Sequence, residues 1–329
     1  MPAVYFVSDY GTEDEFVGVV HAVLQRLAPG LAVIDLAHHL PPFDVGPAAD
    51  MLVRCAPHLG AGVVLAVVDP GVGTDRRAVA IRVRGGTGGD PPRTPPTLSP
   101  GEADQPTWLV GPDNGLLVPM AASLGGVDRL IVLGRPAHPR PGSGQTFDGR
   151  DVFAPAAAHL AQGGAPGPLG HDADPASLAA PPARGDGPGE AVAVARATGP
   201  AVEAGVAWVD RFGNVQLRLV AADLVGIGLA PGATAHVELS HPVPGTGGGA
   251  VGATGGDRPS TDRWAPPARS LPARWVTAFG DLDPGELGLL IDGSGRIALV
   301  LDRASAAARL GLAGPGRAVR VAPSGFETG

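Results

Sequence analysis

The sequence has a single cysteine, Cys55, among its 329 residues. One cysteine excludes an intrachain disulfide framework and a cysteine-rich zinc cluster. Acidic residues outnumber basic ones, 32 Asp and Glu against 24 Lys and Arg, which argues against a nucleic acid or an anionic membrane as partner. No apolar run has the length of a membrane span, and the first residues do not resemble a secretion signal. We therefore expect a cytoplasmic protein that binds neither membranes nor nucleic acids.

The usual cofactor motifs are also missing from the sequence. No G-x-G-x-x-G follows the first predicted strand, and no G-x-x-x-x-G-K-[ST] occurs, so dinucleotide and P-loop sites lack their glycines. The patterns H-E-x-x-H and G-x-S-x-G do not occur either. His38 and His39 are adjacent rather than four residues apart, which does not favour a metal site. The sequence thus predicts no metal and no cofactor.

Short apolar runs alternate with helix-period segments through the first half of the chain. The runs have the length and the Val and Leu content of buried strands. Strands are predicted at residues 4–8, 31–36, 61–68, 78–83, 108–110 and 130–133, and helices at 16–27, 48–55 and 152–162. This order predicts an α/β domain over residues 1–165 with a mostly parallel, helix-covered sheet.

The pattern changes after residue 165. Residues 166–190 are rich in Gly, Pro, Asp and Ala, which predicts a linker. Beyond it, short valine-rich segments are separated by turn residues, and they predict an all-β, barrel-like domain over residues 191–329. Residues 85–106 and 242–272 lack periodicity and are predicted to be insertions.

Three acids stand in the loops that leave predicted strands at their carboxyl ends. They are Asp9, Asp69 and Asp113. Because the carboxyl ends of parallel strands share one edge of a sheet, these acids are expected to line one crevice. Asp69 also opens the loop DPGVGTDRR, whose glycines allow a tight turn and whose arginines follow at once. Strand ends carry Asp for turn chemistry too, so the residues alone indicate either an acidic crevice of an enzyme or binder, or solvated turns.

Six stretches of the sequence together resemble one family, the S-adenosylmethionine (SAM) hydrolases, also called SAM hydroxide adenosyltransferases, which are related to the fluorinase and chlorinase. The stretches occur in order along nearly the whole chain. They are SDYGT at 8–12, VDPGVGTDR at 68–76, PDNGLL at 112–117, TFDGRDVFAP at 146–155, DRFGN at 210–214 and ASAA at 304–307.

The resemblance implies an N-terminal α/β domain, a C-terminal β-barrel and a homotrimer with active sites between subunits. The implied reaction converts SAM and water to adenosine and L-methionine without a metal or cofactor. Family members hold the attacking water with an Asp-Arg-His set, of which Asp69 and Arg76 match the first two. The substrate-binding positions implied for this chain are Asp9 on the ribose, Phe43 on the nucleoside, and Asp210, Phe212 and Asn214 in the DRFGN stretch.

The third member of the set differs in this chain, because Asp148 stands where the family usually has His. An ionised Asp only accepts hydrogen bonds, whereas a neutral His also donates. If Asp148 lies near Asp69, one carboxyl pKa should rise. Asp148 is then a catalytic residue of an altered hydrolase, or it forms a structural pair with Arg76 or Arg150.

Three other functions remain alternatives at this point. The first is a non-catalytic SAM or adenosine binder, in which Asp148 marks a decayed set. The second is a SAM-dependent halogenase, which the Asp69 carboxylate disfavours because it would repel a halide. The third is a purely structural trimer. The resemblance matches Asp210 and Asn214 to residues that contact methionine and adenine. The family pattern departs at residues 293–296 and 217–218, so no further residue is assigned to the methionine end.

Overall fold

The computed structural model describes residues 3–84, 108–134, 146–181, 192–196, 199–239, 270–312, 314 and 317–324. The predicted insertion at 85–106 lies outside these residues, as does 242–269 of the second. Residues 270–272 belong to a strand instead. The chain divides into two compact units, 1–183 and 184–329. No helix in the described parts is long and apolar enough to cross a membrane.

The first unit contains seven strands and four α-helices among its described residues. The strands are β1 (Ala3–Ser8), β2 (Ala32–Ala37), β3 (Gly62–Val67), β4 (Ala78–Val83), β5 (Trp108–Pro112), β6 (Val127–Leu133) and β7 (Gly170–Ala173). The helices are α1 (Phe16–Leu27), α2 (Val45–Cys55), α3 (Val118–Ser123) and α4 (Ala154–Ala161), with a π-helix at Gly149–Phe153 directly before α4. Short 3-10 turns lie at Ala56–His58, Gly167–Leu169 and Pro175–Ser177.

The strands form one mixed sheet in the order β2-β1-β3-β5-β4-β6-β7. The strands β2, β1, β3 and β5 are parallel, whereas β4 runs antiparallel to β5 and to β6. Because β4 is reversed, its amino end lies at the edge where β1, β3 and β5 have their carboxyl ends. We call this edge the acidic edge. It brings the residues before β4 next to those after β3 and β5.

Helices cover both faces of this sheet, as the continuous apolar strands predict. Alternate residues of β1 belong to opposite cores. Phe6 packs in one core with Leu24 of α1. Val7 packs in the other with Leu52 of α2. The α/β prediction is confirmed, and burial on both faces explains why the strands lack an alternating polar pattern.

Part of the segment predicted as a linker belongs to the first sheet. The strand β7 pairs antiparallel with β6, with His171 opposite Val132. A short polar strand on a sheet edge carries little apolar periodicity, so composition alone suggests a linker there. The first compact unit accordingly extends to residue 183.

The second unit is a closed barrel. Its strands are β8 (Val192–Arg196), β9 (Gly199–Val209), β10 (Val215–Val220), β11 (Thr234–Leu239), β12 (Ser270–Trp275), β13 (Gly288–Ile291), β14 (Arg296–Val300) and β15 (Ala318–Pro323). The order β10-β14-β13-β12-β11-β15-β9 returns to β10, so seven strands close the ring and β8 pairs outside it with β9. Two short helices, α5 (Ala221–Gly226) and α6 (Ala306–Leu310), and a 3-10 turn at Phe279–Asp281 complete the unit. The barrel prediction is confirmed.

Candidate active site

At the acidic edge, one guanidinium lies between two carboxylates. Arg76 Nε donates to Asp69 Oδ1 at 3.0 Å, and Arg76 Nη2 donates to Asp69 Oδ2. The same Nη2 donates to Asp148 Oδ2 at 2.7 Å. The side chains of Asp69, Arg76 and Asp148 are only 6%, 7% and 4% exposed. This burial separates the cluster from the solvated turns that were the alternative.

The loop between β3 and β4 turns tightly enough to fold Arg76 back onto Asp69. The Val72 amide donates to the Asp69 carbonyl at 3.2 Å, and Gly73 has a φ of 80°. A left-handed φ of this kind favours glycine. A Cβ on Gly71 would lie 3.3 Å from Arg76 Cβ, so this glycine gives the arginine room. The GVG sequence therefore shapes the pair.

Asp148 reaches the cluster from the start of the π-helix. It directly precedes the π-helix, whose last residue, Phe153, lies under the guanidinium with its ring centre 5.4 Å from Arg76 Cζ. Cation–π contact and burial both fix the plane of the guanidinium. A π-helix is rare and often marks a functional site. Asp148 and Asp69 thus share one guanidinium, and the partner of Asp148 is Arg76, since Arg150 pairs with Asp151.

The surroundings of Asp69 raise its proton affinity. Burial raises the pKa of Asp69, and the Asp148 charge adds to this rise, while the Arg76 guanidinium opposes it; the net direction is upward. With both carboxylates ionised, the cluster has one negative charge in excess. Arg76 Nη1 is buried and has no hydrogen-bond partner among the described residues. A ligand with an acceptor oxygen would satisfy it.

Asp9 and Phe43 are joined at the same edge of the sheet. The Phe43 amide donates to Asp9 Oδ2 at 2.9 Å. Phe43 has a φ of 65°, a left-handed conformation that is uncommon for a bulky residue, and it is 72% exposed. A strained backbone under an exposed aromatic ring is typical of a ligand contact rather than of a core. These two predicted substrate residues therefore form one local arrangement.

Asp113 lies at the acidic edge but does not line an open crevice. Arg77 Nε donates to Asp113 Oδ2 at 2.8 Å, and the Ala179 amide donates to Asp113 Oδ1 at 2.9 Å. The expectation of three acids in one crevice is wrong for this member, because a neighbouring arginine and a backbone amide occupy its carboxylate.

The adjacent residues His38 and His39 contact different partners. Ser8 Oγ lies 2.7 Å from His38 Nδ1, and His38 Nε2 lies 3.1 Å from Asp35 Oδ1. His39 Nε2 instead lies 3.1 Å from Thr12 Oγ1. Within the described residues, no group of three His, Cys, Asp or Glu side chains has the geometry to hold a metal.

In the second unit, Asp210 organises the turn that carries the other predicted substrate residues. Asp210 Oδ1 accepts from the amides of Phe212 and Asn214, each at 2.9 Å, and Asp210 Oδ2 accepts from Asn214 Nδ2 at 2.9 Å. The Gly213 carbonyl accepts from the Ala307 amide at 2.8 Å, which joins the DRFGN and ASAA stretches. Phe212 is 72% exposed and lines a cavity of about 500 Å³ with Asp210.

Three aromatic residues of the first site were not singled out from the sequence. Tyr10 contacts Phe147, the residue before Asp148, and Phe153 lies under Arg76. Each of the three lies within one of the quoted stretches. Burial and the charges of Asp9, Asp69 and Asp148 raise the pKa of Tyr10, so its phenol stays protonated. Tyr10 and Phe147 each stand next to a motif aspartate, which was the signal available for them. Phe153 stands between Val152 and Ala154 and had no such signal.

Comparison with known proteins gives this arrangement a family. A model of the SAM hydroxide adenosyltransferase N-terminal domain matches residues 4–87 and 102–170. A protein from Salinispora tropica named (R)-S-adenosyl-L-methionine hydrolase is 36% identical over 325 residues, which cover 97% of each chain. One of the same name from Thermus thermophilus is 44% identical over 236 residues, 69% of this chain and 78% of the relative.

A more distant relative and two solved structures also match this chain. A fluorinase from Actinoplanes sp. is 30% identical over 168 residues, 49% of this chain and 55% of the relative. A crystal structure of an uncharacterized conserved protein from Thermotoga maritima has a TM-score of 0.72 and 25% identity, covering 97% of this chain and 99% of that one. A crystal structure of a conserved hypothetical protein from Thermus thermophilus has a TM-score of 0.61 and 35% identity, covering 98% and 100%. The resemblance carried by the motifs is confirmed, and this chain belongs to the SAM hydroxide adenosyltransferase family.

Proposed function

We propose that this chain hydrolyses SAM to adenosine and L-methionine, with Asp69, Arg76 and Asp148 as its catalytic residues. The observation that supports this most directly is the buried cluster of one guanidinium and two carboxylates at the acidic edge, in a chain 36% identical over 97% of its length to a SAM hydrolase. Water attacks C5′ of the nucleoside. The new C–O bond forms as the C5′–sulfur bond breaks, and its electron pair returns to the sulfur.

The charge balance of this reaction indicates what the cluster must do. SAM carries a sulfonium charge, the products are neutral at the reacting atoms, and the water must lose one proton. Asp69 orients the water and receives that proton, since burial and Asp148 raise its pKa and make it a stronger base than a solvated Asp. The partnerless Arg76 Nη1 donates to the water oxygen as hydroxide character develops. Fixing the oxygen in line with C5′ supplies much of the remaining acceleration.

Asp148 takes the place of the family His in this proposal. It accepts from Arg76 Nη2, the nitrogen that also donates to Asp69, so it holds the guanidinium by a further contact beside the bidentate one. Its charge also raises the proton affinity of Asp69. The excess negative charge favours a sulfonium cation in the site and opposes a halide, so halogenation is disfavoured on electrostatic grounds.

Substrate binding involves residues of both units in this proposal. Asp9 binds the ribose hydroxyls and Phe43 packs on the nucleoside, while Asp210, Phe212 and Asn214 contact the methionine and adenine ends. Among the described residues, each unit carries one aromatic residue that is 72% exposed, Phe43 and Phe212, which supports sites completed between subunits of a homotrimer. Sedimentation analysis tests the trimer, and a monomer at micromolar concentration would contradict it.

The reaction is tested by incubating the purified chain with SAM in water enriched in oxygen-18. We expect adenosine and methionine in equal amounts, with the label on the 5′-oxygen of adenosine. The replacement of His by Asp148 favours one other function, a SAM binder without turnover. Calorimetric binding of SAM without release of adenosine over hours would establish the binder and refute the hydrolase.

A further inference from the structure

Tyr10 lies in the site without a role in the mechanism above. It follows Asp9 in the loop after β1, and its ring makes an edge contact with Phe147, with the two ring centres 5.8 Å apart. Phe6 and Phe16 contact the same ring, with centres 6.5 Å and 5.6 Å away. This packing on three sides fixes the ring.

The hydroxyl of Tyr10 lies directly against Gly149. A Cβ placed on Gly149 would be 2.3 Å from the Tyr10 hydroxyl oxygen and 3.2 Å from Tyr10 Cζ. No side chain fits at this distance without movement of the tyrosine. The glycine of the TFDGRD stretch is therefore required by the approach of this hydroxyl.

Tyr10 thus touches both neighbours of Asp148 in the sequence, Phe147 through its ring and Gly149 through its hydroxyl. Asp148 itself is fixed by its hydrogen bond to Arg76, at 2.7 Å. The phenol remains protonated beside these carboxylates, because burial and the charges of Asp9, Asp69 and Asp148 raise its pKa while only Arg76 lowers it. A neutral phenol adds no repulsion to a site that already has excess negative charge.

We infer that Tyr10 is a positioning residue, which braces the turn carrying Asp148 and so holds that carboxylate on Arg76. Its catalytic consequence rests on the proposed SAM hydrolysis. A displacement of about 1 Å at a positioned group costs up to about 100-fold in rate, so the brace should affect turnover more than substrate affinity.

A pair of variants tests the contact itself. Gly149→Ala introduces the Cβ that meets the hydroxyl, and we expect kcat for SAM to fall about 30- to 100-fold with KM changed less than about 3-fold. Adding Tyr10→Phe removes the oxygen at 2.3 Å, and we expect the double variant to recover to within about 10-fold of the wild-type kcat. Gly18→Ala in α1 is the matched control, because nothing lies within 4 Å of a Cβ there.

A double variant as inactive as Gly149→Ala would overturn the inference. A Gly149→Ala variant that loses kcat/KM only through a higher KM, with kcat unchanged, would also overturn it. Should Gly149→Ala not fold, Tyr10→Leu provides the second test. We expect it to lower kcat about 10-fold in the wild-type background and not at all in an Asp148→Ala background, where no carboxylate is left to position. Additive effects in that cycle would also refute the role.

The failure of the proposed function is distinguishable from the failure of this inference. If the wild type does not turn over SAM, the proposed function fails, but the inference about Tyr10 does not. The position of Asp148 is then read from the titration of Asp69 by NMR of carbon-13-labelled aspartate carboxyls. We expect Gly149→Ala to shift that titration to lower pH, since a displaced Asp148 no longer raises the Asp69 pKa, and Tyr10→Phe to restore it. An unchanged titration in Gly149→Ala would refute the inference.

Discussion

Two successive arginines at the acidic edge, Arg76 and Arg77, each pair with one aspartate. The two pairs differ in the additional group that contacts each of them. Arg76 pairs with Asp69 after β3, and Arg77 pairs with Asp113 after β5. The first pair receives a second carboxylate, from Asp148. The second pair is closed by neutral groups, since Arg77 Nη1 donates to Ser177 Oγ at 3.1 Å and the Ala179 amide donates to Asp113.

The two Asp–Arg pairs both lie at strand ends, but only the Arg76 cluster has the features that the proposed reaction requires. What distinguishes the Arg76 cluster is an excess negative charge, a buried donor without a partner among the described residues, and an arginine only 7% exposed against 34% for Arg77. Desolvation makes such charge reactive, whereas a satisfied pair contributes to stability. Matched variants of the two pairs separate these roles.

The largest expected effect is that of Asp69→Asn. An amide cannot accept the proton of the attacking water, and removal of a positioned base typically costs about 10²–10⁴-fold in rate. We therefore expect adenosine release to fall about 1,000-fold, measured by chromatography. The matched Asp113→Asn should keep kcat within about 3-fold and lower stability instead, by about 2 kcal/mol for a charge-assisted hydrogen bond. Equal losses of activity in the two variants would remove the distinction between the pairs.

Arg76→Lys has the next largest effect. A lysine ammonium is a point donor and cannot make the bidentate contact with Asp69 while also reaching Asp148. We expect kcat to fall about 100-fold, with the same products, in a continuous assay of adenosine. Arg77→Lys serves as control and should keep most of its activity, because Arg77 contacts only Asp113 and the Ser177 region among the residues that the structure describes. Full activity of Arg76→Lys would show that the bidentate contact with Asp69 is not needed.

We expect Asp148→His to have a moderate effect, which is a shift in the pH dependence of kcat. The Asp148 charge is one cause of the raised Asp69 pKa, so its removal should lower that pKa. Since the proposed mechanism requires an ionised Asp69, the acid limb of the kcat profile should move to lower pH, with kcat itself changed less than about 10-fold. Asp151→Asn, in the π-helix that Asp148 precedes but paired with Arg150, should leave the limb in place. An acid limb that does not move in Asp148→His would show that the two carboxylates titrate independently.

The two arginine pairs also illustrate which features of the fold and the site could be predicted from the sequence. The apolar runs predicted most strands, and the loop glycines predicted the turn at Asp69, because these features are local. The different environments of Asp69 and Asp113 were not predictable, since they depend on the reversed direction of β4 and on Ala179, far along the chain. Tyr10 was missed for the same reason: its contact with Gly149 joins residues that no local pattern connects.

The smallest expected effect concerns stability against pH, and it tests the excess charge directly. The pKa of Asp69 is raised above its ordinary 3.8 in the folded protein, so the folded state holds this proton more tightly than the unfolded chain does. The stability that this group contributes is present below that ordinary pKa and is lost as pH rises through the folded value. Asn does not titrate, and Arg76 keeps Asp148 as partner in Asp69→Asn. The Tm of this variant relative to wild type should therefore increase between acid and neutral pH, on the order of a few degrees. A relative Tm that falls over this range would mean that ionised Asp69 stabilises the fold, as a satisfied structural pair would.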